Sequence, residues 1–221
     1  MKRVLFKGIS LLFLFMVFVF INSSKNFAQT QSSKTIAAKS KLKSRNVLAV
    51  DYTIFGNLPK LKQPTDNTCW ATAATIMTSW KDKKNYSINE LMGKAGKDFQ
   101  DKFTADQGLG GDEKVFFLQA LNLKAEAPQN YNVQGWLSLL KKYGPLWITT
   151  NEGSDEDFAI HARILKGLSG DGSNDATFFT FVDPADGQEH SESFSTFIKK
   201  FEDIAKEDSK SRDFRPQVVH Y

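Results

Sequence analysis

Cys69 is the single cysteine of the 221-residue chain, and it stands where a polar loop turns into a helix. Pro64, Thr65, Asp66, Asn67 and Thr68 before it favour turns and helix N-caps. After it, Trp70, Ala73, Ala74, Met77 and Trp80 recur at steps of three and four and share one helix face. The first turn of such a helix offers unpaired backbone N–H groups and the positive end of the helix dipole. Both stabilise a thiolate, and the thiolate is the nucleophile. Gln63, six residues upstream, carries a side-chain N–H that can help hold the oxyanion of a tetrahedral intermediate. The plainer reading is a loop amide followed by a buried cysteine packed as a small hydrophobe.

A thiolate nucleophile needs a base, and the base needs an orienter. The chain has three histidines. His161 opens a strand after an acidic loop, so its ring can face a cleft, and it is the candidate base. His190 follows a turn, and His220 is the penultimate residue. Asp183 closes the strand TFFTFV (177–182) and precedes Pro184. Paired as a hairpin with HARILKGL (161–168), that strand brings Asp183 back to His161, where it can fix the tautomer. Asp-Pro-Ala-Asp-Gly is also good turn chemistry, and Asp186 and Asn174 stand as alternatives to Asp183.

The pattern Q-x5-C-W at Gln63, Cys69 and Trp70, followed by His161 and by a strand ending in Asp183-Pro184, resembles the papain-like (clan CA) cysteine peptidases. The likeness is to their compact bacterial branch, which includes the effector proteases that plant pathogens inject and the leader-cleaving domains of bacteriocin exporters. It spans about Val47 to Ala205, and the Cys-to-His separation of 92 residues is closer to that branch than to plant papains. Papain has asparagine as its third member and Cys-Gly-Ser-Cys before the tryptophan; here Asp183 and Asn67-Thr68 stand in those places. The resemblance implies an α+β fold, with a helical lobe carrying the nucleophile packed against an antiparallel sheet lobe carrying His161 and Asp183. It implies peptide-bond hydrolysis by a Cys69-His161-Asp183 triad, Gln63 in the oxyanion hole and Trp70 at the substrate, with no cofactor. No metal is expected, because no pair of His, Cys or carboxylate residues has a zinc spacing. Two rival functions share parts of this pattern. One is an amidase of cell-wall peptides with the same Cys/His chemistry, usually found without an upstream glutamine. The other is a non-catalytic binding or toxin-like module, against which an intact set of four residues argues.

The elements that must position these residues run helices first and strands later, which is the order of an α+β domain. Val47–Phe55 reads as a strand. The nucleophile helix ends near Trp80–Asp82. Ser87 to Glu90 forms a capping box that starts a second helix, reaching about Lys94. Five glycines from Gly93 to Gly111 mark a loose segment, and Gly108-Leu109-Gly110-Gly111 lacks the strand and the Lys-Ser/Thr of a phosphate loop. Asp112 is the expected cap of a third helix. Asn132 caps a fourth, which Gly144 and Pro145 end. Leu146–Thr150 and the two strands of the hairpin follow, then a helix over Ser195–Lys206. The tail Phe214–Tyr221 is expected at a sheet edge, limited by Pro216.

The N-terminus reads as an export signal. Lys2, Arg3 and Lys7 precede the apolar run Ile9–Ile21, and Asn26-Phe27-Ala28 offers a cleavage site. The run is shorter than the roughly 20 residues of a membrane span; an uncleaved anchor is the alternative. The expected division is a signal peptide at 1–28, a basic tail or short pro-segment at 29–46, and the peptidase domain at 47–221. Residues 1–28 carry four basic and no acidic residues, which leaves 25 of each sign in the mature chain. Its balanced charge gives no reason to expect nucleic-acid binding. One cysteine cannot form an internal disulfide, and in an oxidising compartment a lone thiol is easier to explain by reactivity than by structure. The expectation is a secreted or periplasmic monomer acting on protein or peptide substrates, with no stable membrane association after signal removal.

Overall fold

The computed structural model describes residues 48–154, 157–211 and 215–221. The expected signal peptide at 1–28 and tail at 29–46 lie outside the described residues. Among those described are six helices and seven strands. In chain order they are β1 (Val50–Thr53), α1 (Cys69–Asp82), α2 (Ile88–Ala95), α3 (Lys97–Thr104), α4 (Gly111–Ala120), β2 (Lys124–Ala125), α5 (Val133–Tyr143), β3 (Leu146–Asn151), β4 (Ile160–Gly170), β5 (Thr177–Asp183), β6 (Gln188–Ser193), α6 (Phe194–Ser211) and β7 (Val218–His220). The fold is α+β, as expected.

One antiparallel sheet runs in the order β2-β7-β3-β4-β5-β6, and β1 pairs with the far half of β4. All six residues of β3 are buried. Consecutive side chains of a strand point to opposite faces, so β3 is covered on both. On one face Trp147 meets Phe117 of α4, which meets Trp70 of α1 edge to face. On the other, Trp136 of α5 and Phe197 and Phe201 of α6 pack with Phe179 of β5. Buried aromatics bring large apolar area at small entropic cost, and this second cluster fastens the C-terminal helix to the sheet.

α1 forms because small residues let it lie close to its neighbours. Ala71, Ala73 and Ala74 are fully buried, as are Ile76 and Met77. Lys83 ends it in a left-handed turn whose N–H bonds Ser79 O. The Ser87 cap accepts from the Glu90 N–H at 3.1 Å, and Asn132 accepts from the Gly135 N–H at 2.8 Å.

Five expectations change. The segment after α2 is not loose throughout: α3 fills it, an exposed helix with only Phe99 and Phe103 packed on the core. Two apolar residues four apart make too thin a stripe to read. Gly110, not Asp112, is the N-cap of α4, and the Glu113 carboxylate accepts its N–H at 2.8 Å. β6 has the wholly polar sequence QEHSES, which conceals a strand at a solvated edge. The tail strand β7 lies inside the sheet between β2 and β3 rather than at an edge. Pro216 falls before it and leaves its ladder intact. Finally, α6 runs on to Ser211, five residues past its expected end.

Candidate active site

Cys69 is the first residue of α1, half-buried and unbridged. The cap of this helix is left open. Thr68 makes no side-chain bond to the first turn; its hydroxyl instead donates to Thr65 O at 2.9 Å. The Cys69 N–H has no hydrogen-bond acceptor among the described residues. The sulfur therefore sits beside an unpaired donor at the positive end of a buried helix. Two contacts fix the loop in front: the Asp106 carboxylate accepts the Asn67 N–H at 3.0 Å, and the Trp70 indole donates to Gln107 O at 3.0 Å.

His161 is the second residue of β4, paired with Thr150 of β3. The β4–β5 register sets Ile164 opposite Val182, so the end of β5 meets the start of β4. Asp183 Oδ1 lies 2.6 Å from His161 Nε2. The other ring nitrogen remains for Cys69, whose sulfur is among the groups that favour the charged ring. Burial works to lower the pKa of His161. The Asp183 carboxylate and the Cys69 sulfur outweigh it and raise the value to about 9. Burial works to raise that of Asp183, but the imidazole, the Ala185 N–H and Arg163 hold it below the ordinary carboxylate range. The pair is thus set up as imidazolium and carboxylate near neutral pH.

The remaining candidates separate cleanly. His190 pairs with Asp186 at 2.8 Å on the exposed edge strand. His220 is buried, stacked on Tyr143 and bonded to Glu126. Asn174 receives the Ser195 N–H on its backbone carbonyl, in the loop at the far end of β5. Gln63 lies in the cysteine loop, tied to the turn after Asp183 by its own N–H, which donates to Pro184 O at 2.7 Å. Its side-chain amide donates to Thr65 O and Asp66 O, both at 2.9 Å, and its Oε1 is buried without a partner. Those donors therefore serve the loop here.

A protein-family model described as papain-like cysteine protease AvrRpt2 matches residues 53–202, which takes in Gln63, Cys69, His161 and Asp183. The chain belongs to that family. It is a cysteine-type peptidase. A comparison with curated proteins finds no match.

In this papain-like protease a cavity of about 590 Å³ opens beside Cys69. Gly108, Leu109 and Gly110 form one wall, and Phe158, Ala159, Ile160 and Ala162 the other. Trp70 lines it too, although only 3% of that residue is exposed. The second wall is held by Asn151, whose side-chain oxygen accepts the N–H groups of Gly153 and Ala159 at 3.0 Å. Two features of the protease escape the sequence. Arg163 is buried between Glu152 at 2.8 Å and Glu192 at 2.6 Å, its guanidinium over the Phe181 ring. Lys114 is buried in the cavity itself. Both read in one dimension as ordinary solvated charges, and no local pattern marks them.

Proposed function

We propose that the protein is an exported peptidase that hydrolyses peptide bonds through Cys69, His161 and Asp183. The observation that carries this reading is the His161 imidazole held by Asp183 at 2.6 Å through Nε2, with the Cys69 sulfur near enough to favour the charged ring. The Cys69 thiolate attacks the scissile carbonyl carbon, and the carbonyl π electrons pass to oxygen. The Cys69 N–H receives that oxyanion. Gln63 joins it when one amide proton leaves its loop carbonyl for the substrate oxygen. Collapse of the intermediate expels the amine, which takes the proton of the imidazolium, and leaves a thioester. His161 then removes a proton from water, the hydroxide attacks the thioester, and the thiolate departs. Asp183 keeps the ring oriented throughout and stabilises its charged form. The substrate is a protein or peptide, taken by a monomeric enzyme.

Export rests on residues 1–28, whose basic start, apolar run and Asn26-Phe27-Ala28 fit a cleaved signal. The N-terminal residue of the protein recovered from culture medium or periplasm checks this, and an intact Met1 there would contradict it.

Cys69→Ala is expected to abolish turnover while the protein keeps its circular dichroism spectrum and melting temperature. Alkylation by iodoacetamide separates thiolate from thiol. At pH 6 wild type should be alkylated far faster than His161→Ala. Identical rates would refute the ion pair.

A further inference from the structure

The lining of the cavity beside Cys69 includes a buried lysine. In α4 the next two residues, Val115 and Phe116, are 41% and 63% exposed, yet Lys114 is 5% exposed. Its Nζ donates to Thr149 Oγ1 at 2.8 Å and to Pro216 O at 2.5 Å, and lies 4.3 Å from the centre of the Trp147 ring. All three partners are neutral. An ammonium has three donors, and these hydrogen bonds use two of them. Among the described residues no carboxylate forms an ion pair with it. Burial above all, and Arg215 with it, lowers its pKa to about 7 against the opposing pull of the Cys69 sulfur and Asp208. Arg215 lines the same cavity with its guanidinium paired to Asp208. The carboxylate residue that lines it is Asp66, exposed on the cysteine loop. The apolar side chains of Leu109, Phe158 and Ile160 line the same cavity.

We propose that this cavity is a specificity pocket for a glutamate side chain of the substrate, with Lys114 Nζ meeting its carboxylate. The inference rests on the peptidase reading, since the pocket borders the nucleophile and so receives a residue within two positions of the scissile bond. Glutamate suits it in two ways. Its methylenes run along apolar walls, and its carboxylate reaches a cation that burial has deprived of a countercharge. A charge-assisted hydrogen bond in a dry pocket is about twice as strong as a neutral one. A leucine or phenylalanine in the same place would leave the ammonium buried and unpaired, which is costly. Aspartate carries a shorter stem and stops short of Lys114.

Peptides carrying Glu, Gln or Leu in turn at each of the two positions on either side of the scissile bond test this. The readout is kcat/KM for wild type, Lys114→Met and Lys114→Gln. At one position wild type should prefer Glu over isosteric Gln by about tenfold or more, as expected for a buried charged pair. Lys114→Met should lose that preference and favour Leu, and Lys114→Gln should lose it without favouring Leu. Equal rates for Glu and Gln in wild type would overturn the proposal, and that comparison needs no variant. A Glu preference that survives in folded Lys114→Met would overturn the role of Lys114. Chloromethyl ketones with the same three side chains supply the ranking from Cys69 inactivation alone. If wild type neither cleaves the peptides nor reacts with these reagents, the peptidase reading falls, and the pocket with it. Cleavage without a Glu preference removes the pocket only.

Discussion

At His161 the charged ring rests on the Asp183 carboxylate, and a change at one carboxylate oxygen tests how. Asp183→Asn keeps an oxygen acceptor for the Nε2–H and removes the charge. The ring then keeps its orientation but loses part of what raises its pKa to about 9. In the proposed mechanism the protonated ring releases the amine, so wild-type kcat/KM should fall as pH rises through about 9. In Asp183→Asn that alkaline limb should move to lower pH, with kcat at pH 6 reduced far less than in Asp183→Ala. A limb that stays in place would show that Asp183 orients without stabilising charge. These residues were legible in the sequence because each carries a local mark. Cys69 opens a helix, His161 opens a strand, and Asp183 precedes a proline. Lys114 and Arg163 carry none, because what distinguishes them is the charge or aromatic ring that faces them from a distant element. Gln63 was legible as a donor near Cys69, while the two loop carbonyls that occupy it depend on a fold of the chain within three residues.

Among the elements, one close approach sets the relation between the cysteine loop and the turn that carries Asp183. Gly187 ends that turn at φ +72°, and a Cβ there would lie 3.0 Å from Lys62 N and 3.2 Å from Leu61 C. One residue on, the Gln63 N–H bonds Pro184 O. Gly187→Ala should cost about 1–2 kcal/mol from the left-handed backbone alone, read as a lower melting temperature. It should also lower kcat, because the loop it displaces leads to Cys69. Gly187→Asn tolerates the backbone better but brings the same Cβ, so it should recover stability more than activity. An Ala variant that melts and turns over like wild type would refute the close approach. The long periodic elements were readable: α1, α5 and the β4–β5 hairpin announce themselves through apolar spacing and caps. Those that pack through few residues were not. α3 has two anchoring phenylalanines, and β6 is entirely polar. β7 is placed inside the sheet only by its partners β2 and β3, which a reading of the tail alone does not contain.

For the molecule as a whole, two buried groups pull the pH dependence of stability in opposite directions. His161 has its folded pKa raised from 6.5 to about 9. Its contribution is complete below the unfolded value and is lost as pH rises through about 9. Lys114 has its folded pKa lowered from 10.5 to about 7. The unfolded chain binds its proton across that interval, so stability rises with pH there. Each full proton corresponds to a slope of about 1.4 kcal/mol per pH unit, and between about 7 and 9 the two offset each other. Wild type should therefore show a nearly flat denaturation midpoint over that range, and Lys114→Met a midpoint that declines with pH. A flat profile in the variant would show that His161 is not charged in the folded protein. The sheet also gives the molecule a calendar. Cys69, His161 and Asp183 are all joined to the chain before residues 215–220 are made. Until those arrive, β3 has one edge unpaired, and Lys114 lacks the Pro216 carbonyl that fixes it in the pocket. A growing chain thus carries Cys69, His161 and Asp183 before the strand and the carbonyl that complete their surroundings.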